Sequence, residues 1–209
     1  MISRYFLHYD NPHKKDVSEI AKQLKKGHIA IIPTDTIYAL ACLWTNKKGI
    51  DRILKILGKK EKHLKLSLIC KDIRMASEYA MPISNKIFRT INNLVPGPYT
   101  FIMESNITVQ RVFRSSKKEI GIRIPDDNIL QALISELGEP LVTSSLNKED
   151  EITPYYNDPI EMLEFFNHSV DIFIDGGIRK IEESTILDCQ GNEITLIRQG
   201  KGSLEGLFE

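Results

Sequence analysis

Two hydrophobic periods alternate along the chain. Val17, Ile20, Ala21 and Leu24 keep the i, i+3, i+4, i+7 spacing of a half-buried helix, and Gly27 is placed to stop it. The unbroken apolar run 29–32 then reads as a short strand covered on both faces. Ile50, Ile53, Leu54 and Leu57 restore the helical spacing up to Gly58, and a strand over 66–70 follows. Ser84 is placed to cap a helix carrying Ile87, Ile91 and Leu94, which the Pro96-Gly97-Pro98 turn ends.

Further on, 99–103 and 120–124 have strand character, and Ile129, Leu130, Leu133, Ile134 and Leu137 form a helix stopped by Gly138. Strands are expected over 140–143 and 170–174, with a helix around 160–166 between them. The pair 184–189 and 194–198 flanks Gln190-Gly191-Asn192 as a hairpin. Only 148–158 is loop-like at length. With neither a repeat nor a linker, the pattern predicts a single α/β domain over 1–209, built on a mixed sheet.

Composition narrows this reading. Hydrophobic residues at 42% and charged residues at 27% are ordinary globular values and favour neither a disordered nor a fibrous chain. Lys plus Arg equals Asp plus Glu at 28 each, so no global field draws the chain to nucleic acid or an anionic membrane. Basic residues are nonetheless dense over 47–65 and 111–118, either as a solvated face or as a bowl for phosphate. Cys42, Cys70 and Cys189 are isolated, and no HExxH occurs, so neither a disulfide framework nor a protein-held metal is expected. The apolar runs are too short to span a bilayer and the N-terminus does not read as a signal peptide, so a cytoplasmic location is expected.

Candidate chemistry sits at strand ends. Pro33-Thr34-Asp35-Thr36 follows the strand 29–32 directly, where open α/β sheets place ligands. Its hydroxyls and carboxylate suit a small polar ligand; alternatively one of them caps the next turn. Arg123 lies inside the apolar strand of GIRIP and needs an anionic partner if buried, or reaches water from an edge. In LVTSSLN, Thr143, Ser145 and Asn147 alternate and would share one side of an extended chain. That arrangement fits a nucleotide or phosphate, or an ordinary strand-to-loop transition.

Taken in order, PTDTIYALAC, RILKILGKK, KLSLIC, PGPYTFIM, IGIRIP, ELGEPLVTSSLN, ESTILDC and ITLIRQG resemble the blocks of the YrdC-like family of threonylcarbamoyl-AMP synthases from about Asp16 to Gly202. HYDNP, YALAC and PGPYTFIM look most like its YciO branch. The resemblance implies a twisted open sheet with helices around a concave, positively charged cavity. It also implies that L-threonine, bicarbonate and ATP give threonylcarbamoyl-AMP and pyrophosphate, for the N6-threonylcarbamoyladenosine modification of tRNA.

By the same resemblance Thr34, Thr36, Tyr38, Thr143 and Ser184 line a threonine pocket, and Arg123 takes the amino-acid carboxylate. Lys59, Ser145, Asn147 and Arg198 face ATP, and Arg123, Lys59 and Lys60 carry the catalytic charge, with Mg²⁺ brought by the nucleotide. Where the family has the lysine of its KGRP block this chain has Leu57, which is in phase with Ile50, Ile53 and Leu54 and reads as core. Losing one such cation costs about 1.5–3 kcal/mol, or roughly one to two decades in rate or affinity. The alternative is therefore a YciO-type protein that binds nucleotide or double-stranded RNA with weak or no synthase activity.

Overall fold

Helix α1 (Lys14–Lys25) buries Val17, Ile20, Ala21 and Leu24, the four residues the spacing marks. Helix α6 (Asn128–Leu137) buries Ile129, Leu130, Leu133, Ile134 and Leu137 and begins where the Asp127 carboxylate accepts the Leu130 N–H at 3.0 Å. The two helices pack on each other and on one face of the sheet, against Ala30, Ile32, Ala41, Ile69 and Leu141. The computed structural model describes residues 2–58, 66–113, 118–146 and 156–207.

The other face is covered by α2 (Lys47–Ile56), α4 (Asn85–Leu94), α5 (Ile107–Phe113) and α7 (Pro159–Phe166), over Ile29, Ile31, Leu40, Phe101 and Phe173. Ser84 accepts the Ile87 N–H at 3.4 Å and caps α4, as the sequence suggests. Leu57 follows the last residue of α2 and is half-buried against this core, in keeping with its phase. A short helix, α3 (Ile73–Ser77), precedes α4.

Ten strands form one sheet among the described residues: β1 (Ser3–Phe6), β2 (Ala30–Ile32), β3 (Ala39–Leu43), β4 (Ser67–Ile69), β5 (Tyr99–Glu104), β6 (Glu119–Arg123), β7 (Leu141–Ser145), β8 (Ile172–Asp175), β9 (Thr185–Asp188) and β10 (Thr195–Arg198). Their order is β1-β8-β2-β3-β7-β4-β6-β5-β9-β10. Pairs β1/β8, β2/β8, β4/β6 and β5/β9 are parallel and the others antiparallel, so the mixed sheet of the sequence reading is the observed one. β9 and β10 form the expected hairpin, with a register irregularity between Leu196 and Arg198. β1, β3, α3 and α5 are additions to that reading.

Following these pairings, β2, β7 and β8 run one way, and β6 and β10 run the other. Residues after β2 and residues ending β6 nevertheless touch, as described below.

Arg52 of α2 clamps Asp171 just before β8, at 2.6 Å and 3.1 Å, and the same carboxylate accepts the Ile29 N–H at 2.9 Å. Burial raises the Asp171 carboxyl, but the hydrogen bonds from Arg52 and Ile29 outweigh it and leave it below the usual carboxylate range. A depressed folded value means stability that is present above the unfolded value, about 3.9, and lost as pH falls through the folded one. Replacing Asp171 with Asn should flatten the fall in urea-unfolding free energy over that acidic window; an unchanged slope would place the clamp's energy elsewhere. Leu133→Ala, which empties the α1–α6 junction at a side chain only 1% exposed, should cost about 2–5 kcal/mol by the same measurement.

Candidate functional site

The loop between β2 and β3 is braced from within. The Thr34 hydroxyl donates to the Ile37 carbonyl at 2.7 Å and accepts the Thr36 N–H at 3.1 Å, with the Thr36 hydroxyl 3.0 Å away. Because its proton is committed to Ile37, Thr34 takes one from Thr36. Thr34 is therefore a turn brace, fully buried. No helix follows it; the chain passes directly into β3.

Bracing leaves Asp35 projecting toward β6. Arg123, the last residue of β6, donates through Nη2 to Asp35 Oδ1 at 2.5 Å and to the Thr36 hydroxyl at 3.0 Å. The second carboxylate oxygen of Asp35 accepts the Asp126 N–H at 3.3 Å. Both side chains are more than nine-tenths buried. Burial pushes the Asp35 carboxyl above its usual range and Arg123 pulls it back; burial likewise lowers the Arg123 guanidinium against the hold of Asp35, and nearby Arg198 lowers it further. The Arg123 Nε is buried with no hydrogen-bond partner.

Two more ion pairs adjoin this one. Arg179 reaches Asp127 at 3.3 Å and lies 5.5 Å over the Tyr9 ring. Burial raises the Asp127 carboxyl, opposed by the Leu130 N–H and by Arg179. Arg198, ending β10, pairs with Glu183 at 2.6 Å and donates to the Ser184 carbonyl at 2.9 Å. In Arg179 and Arg198, as in Arg123, Nε is buried without a partner. Three guanidiniums thus meet three carboxylates through their ends, each keeping an unanswered donor on its side.

Of the residues singled out in the sequence, Thr34, Thr36 and Arg123 meet directly through hydrogen bonds. Tyr38 is fully buried, accepts the Gly176 N–H at 3.0 Å and donates to the Gly177 carbonyl at 2.8 Å; burial moves its hydroxyl to about 12. It holds the turn after β8 that leads to Arg179. Ser184 is buried before β9, with its hydroxyl 2.7 Å from that of Thr100 in β5. Thr143 donates to the Ser67 carbonyl at 3.3 Å inside the sheet, and Ser145 ends β7, half-buried, opposite Ala39. Neither has a hydrogen bond to the arginine network. Lys59, Lys60 and Asn147 lie outside the described residues.

The sequence gives no sign of Thr100, Asp127, Arg179, Glu183 or Lys201. It marks the Asp35 carboxylate as suited to a ligand or a turn cap, whereas that carboxylate is taken by Arg123; the acid of an ion pair across the sheet has no local signature. Among the described residues no group of three or more His, Cys, Asp or Glu side chains is placed to hold a metal, and no helix is long and apolar enough to cross a membrane.

A fold in which a Thr-Asp-Thr loop grips an arginine across a ten-stranded mixed sheet has known relatives. The chain belongs to the Sua5–YciO–YrdC family, whose pattern, described as telomere recombination, matches residues 22–200. The YciO protein of Escherichia coli is 32% identical over 203 residues, 96% of this chain and 97% of its own length. Its crystal structure superposes with a TM-score of 0.90 at 31% identity, covering 99% and 100% of the two chains. A Methanocaldococcus jannaschii protein named putative threonylcarbamoyl-AMP synthase is 28% identical over 193 residues, 91% and 88% of the chains. Sua5 of P. abyssi complexed with L-threonine shares the fold, with a TM-score of 0.84 at 22% identity, covering 94% of this chain and 57% of that one. More distant relatives, from Vibrio vulnificus at 27% identity over 63% of this chain and Halorhodospira halophila at 24% over 81%, bear the name threonylcarbamoyl-AMP synthase.

Removing Asp35 strands a buried guanidinium. Asp35→Ala should lower the unfolding free energy by about 3–5 kcal/mol, and millimolar sulfate or acetate should return part of it by supplying an anion to Arg123. Thermal melts with and without the anion test this; a loss that no anion relieves would assign Asp35 to the loop's own geometry.

Proposed function

We propose that the chain is an L-threonylcarbamoyladenylate synthase-like protein, converting L-threonine, bicarbonate and ATP to threonylcarbamoyl-AMP and pyrophosphate for tRNA modification. The observation that carries the reading is the buried Arg123, whose Nη2 is taken by Asp35 and Thr36 while its Nε has no partner. A buried donor without an acceptor costs about 1–3 kcal/mol, which a ligand carboxylate arriving at that edge relieves. The threonine-bound Sua5 fold and the names of the distant relatives support threonine as that ligand.

In this reading bicarbonate takes up a proton and loses water to give CO2, and the threonine ammonium, once it has lost a proton, adds to it; the C–N bond forms, a second proton leaves to solvent and one N–H stays on the carbamate. The carbamate oxygen then attacks the α-phosphorus as the bond to pyrophosphate breaks. No side chain becomes covalently linked, so the protein orients and neutralises. Arg123 holds the amino-acid carboxylate. Thr34, Tyr38 and Thr143 shape the pocket, and the hydroxyls of Thr36, beside Arg123, and Ser184, beside Thr100, are assigned to the amino acid. Ser145, Asn147, Arg198, Lys59 and Lys60 are assigned to the nucleotide, with Mg²⁺ entering on its phosphates.

A second reading, nucleotide or double-stranded RNA binding with little synthesis, is favoured by one observation. Leu57, at the position of the family lysine, packs against the core and supplies no charge.

Pyrophosphate release should require ATP, threonine and bicarbonate together, and omission of each in turn separates the readings; release indifferent to threonine rejects synthesis. Arg123→Ala should raise the threonine KM by roughly one to two decades with a smaller effect on the KM for ATP. An unchanged threonine KM removes Arg123 from the pocket.

A further inference from the structure

The last described segment of the chain is pressed against the same site. After β10 the Gly200 N–H donates to the Thr185 hydroxyl at 3.0 Å, and that hydroxyl donates to the Gly202 carbonyl at 2.8 Å. The Lys201 N–H donates to the Glu183 carbonyl at 2.8 Å, and the Tyr99 hydroxyl to the Ser203 carbonyl at 2.9 Å. This approach leaves no room for side chains on either side of Lys201. A Cβ on Gly200 would run into the backbone of Glu183 and Ser184, and one on Gly202 into the Tyr99 ring. Gly200-Lys201-Gly202 is thus a clamp that fixes the backbone of a single lysine.

Its ammonium is directed at the ion-pair cluster, donating to the backbone carbonyl of Asp35 at 2.5 Å. That acceptor is neutral. Arg123, Arg179 and Arg198 are each matched by a carboxylate, whereas Lys201 has none within ion-pair distance among the described residues. Its charge is felt at Asp35 all the same. The cluster therefore carries one positive charge not cancelled by a contacting acid, on an exposed side chain with two of its three donors unused. A flexible point charge of this kind suits the tetrahedral oxygens of a phosphate, while the planar forks of Arg123 and Arg198 suit carboxylates.

We propose that Lys201, held by the Gly200-Lys201-Gly202 clamp, is the cation that receives a phosphoryl group of the nucleotide at this site, in place of the family lysine for which this chain has Leu57. The assignment deepens the synthase reading and rests on it for the identity of the nucleotide. Its chemistry needs only an anionic phosphate beside Asp35.

Calorimetric titrations of the full chain with pyrophosphate and, separately, with L-threonine test it, using wild type, Lys201→Met and Lys201→Arg. Lys201→Met should weaken pyrophosphate binding about ten- to hundred-fold while threonine affinity stays within about twofold, and Lys201→Arg should recover most of the loss. The melting temperature of Lys201→Met should match wild type, because the replaced side chain is exposed. Pyrophosphate binding that Lys201→Met leaves unchanged, or that wild type lacks, overturns the proposal. So does an equal loss of pyrophosphate and threonine affinity that Lys201→Arg does not restore, since Lys201 would then be bracing the Asp35 loop. If pyrophosphate binding depends on Lys201 but wild type shows no threonine-dependent pyrophosphate release, the lysine site stands and the synthase reading falls.

Discussion

The buried contact between Arg123 and Asp35 joins strands that the topology keeps apart. Arg123 ends β6 in one half of the sheet, and Asp35 follows β2 in the other, with strands running in opposite directions. Desolvating two charges is costly, and removing either partner of a buried pair leaves the other uncompensated. Here the pair holds the loop after β2 against the end of β6, with further hydrogen bonds from Arg123 to Thr36 and from the Asp126 N–H to Asp35.

Around the pair, the polar side chains divide by what their atoms already do. The hydroxyls of Thr34 and Tyr38 are committed inside the protein, one to its own loop and one to the turn after β8. They give shape. The arginines differ, because each keeps a buried Nε without an acceptor after meeting its carboxylate. Unmade hydrogen bonds in the interior are expensive, and these three all fall on charged guanidiniums.

Much of the fold was legible because its helices obey one period and its central strands another. Val17 to Leu24 and Ile129 to Leu137 could be placed from spacing alone, and both lie where that spacing puts them. β3 escaped notice because Ala39–Leu43 is rich in alanine, a poor strand former, and is extended only because β2 and β7 bond it on both sides. β1 is four residues long with alternate exposure and is paired on one side only. α5 looks like a strand, with Ile107, Thr108 and Val109 in sequence, yet Asn106 accepts the N–H groups of Thr108 and Val109 and starts a helix that buries Val109 and Phe113. At the site, the motif pointed to Thr36 and Arg123, but the carboxylates that pair with Arg123 and Arg179 lie 88 and 52 residues from them. Separation of that size leaves no trace in local spacing.

The pairing of β1 with β8 bears on the order in which the molecule can assemble. Residues 3–6 lie beside 172–175, and Arg4 bonds Asp175 across 171 positions. On a ribosome β1 must wait until residues 172–175 have emerged before it has a partner, and pairings this distant are slow to close. The Gly200-Lys201-Gly202 clamp comes later still. A chain stalled short of β8 would therefore leave β1 and β2 both without the strand that lies between them.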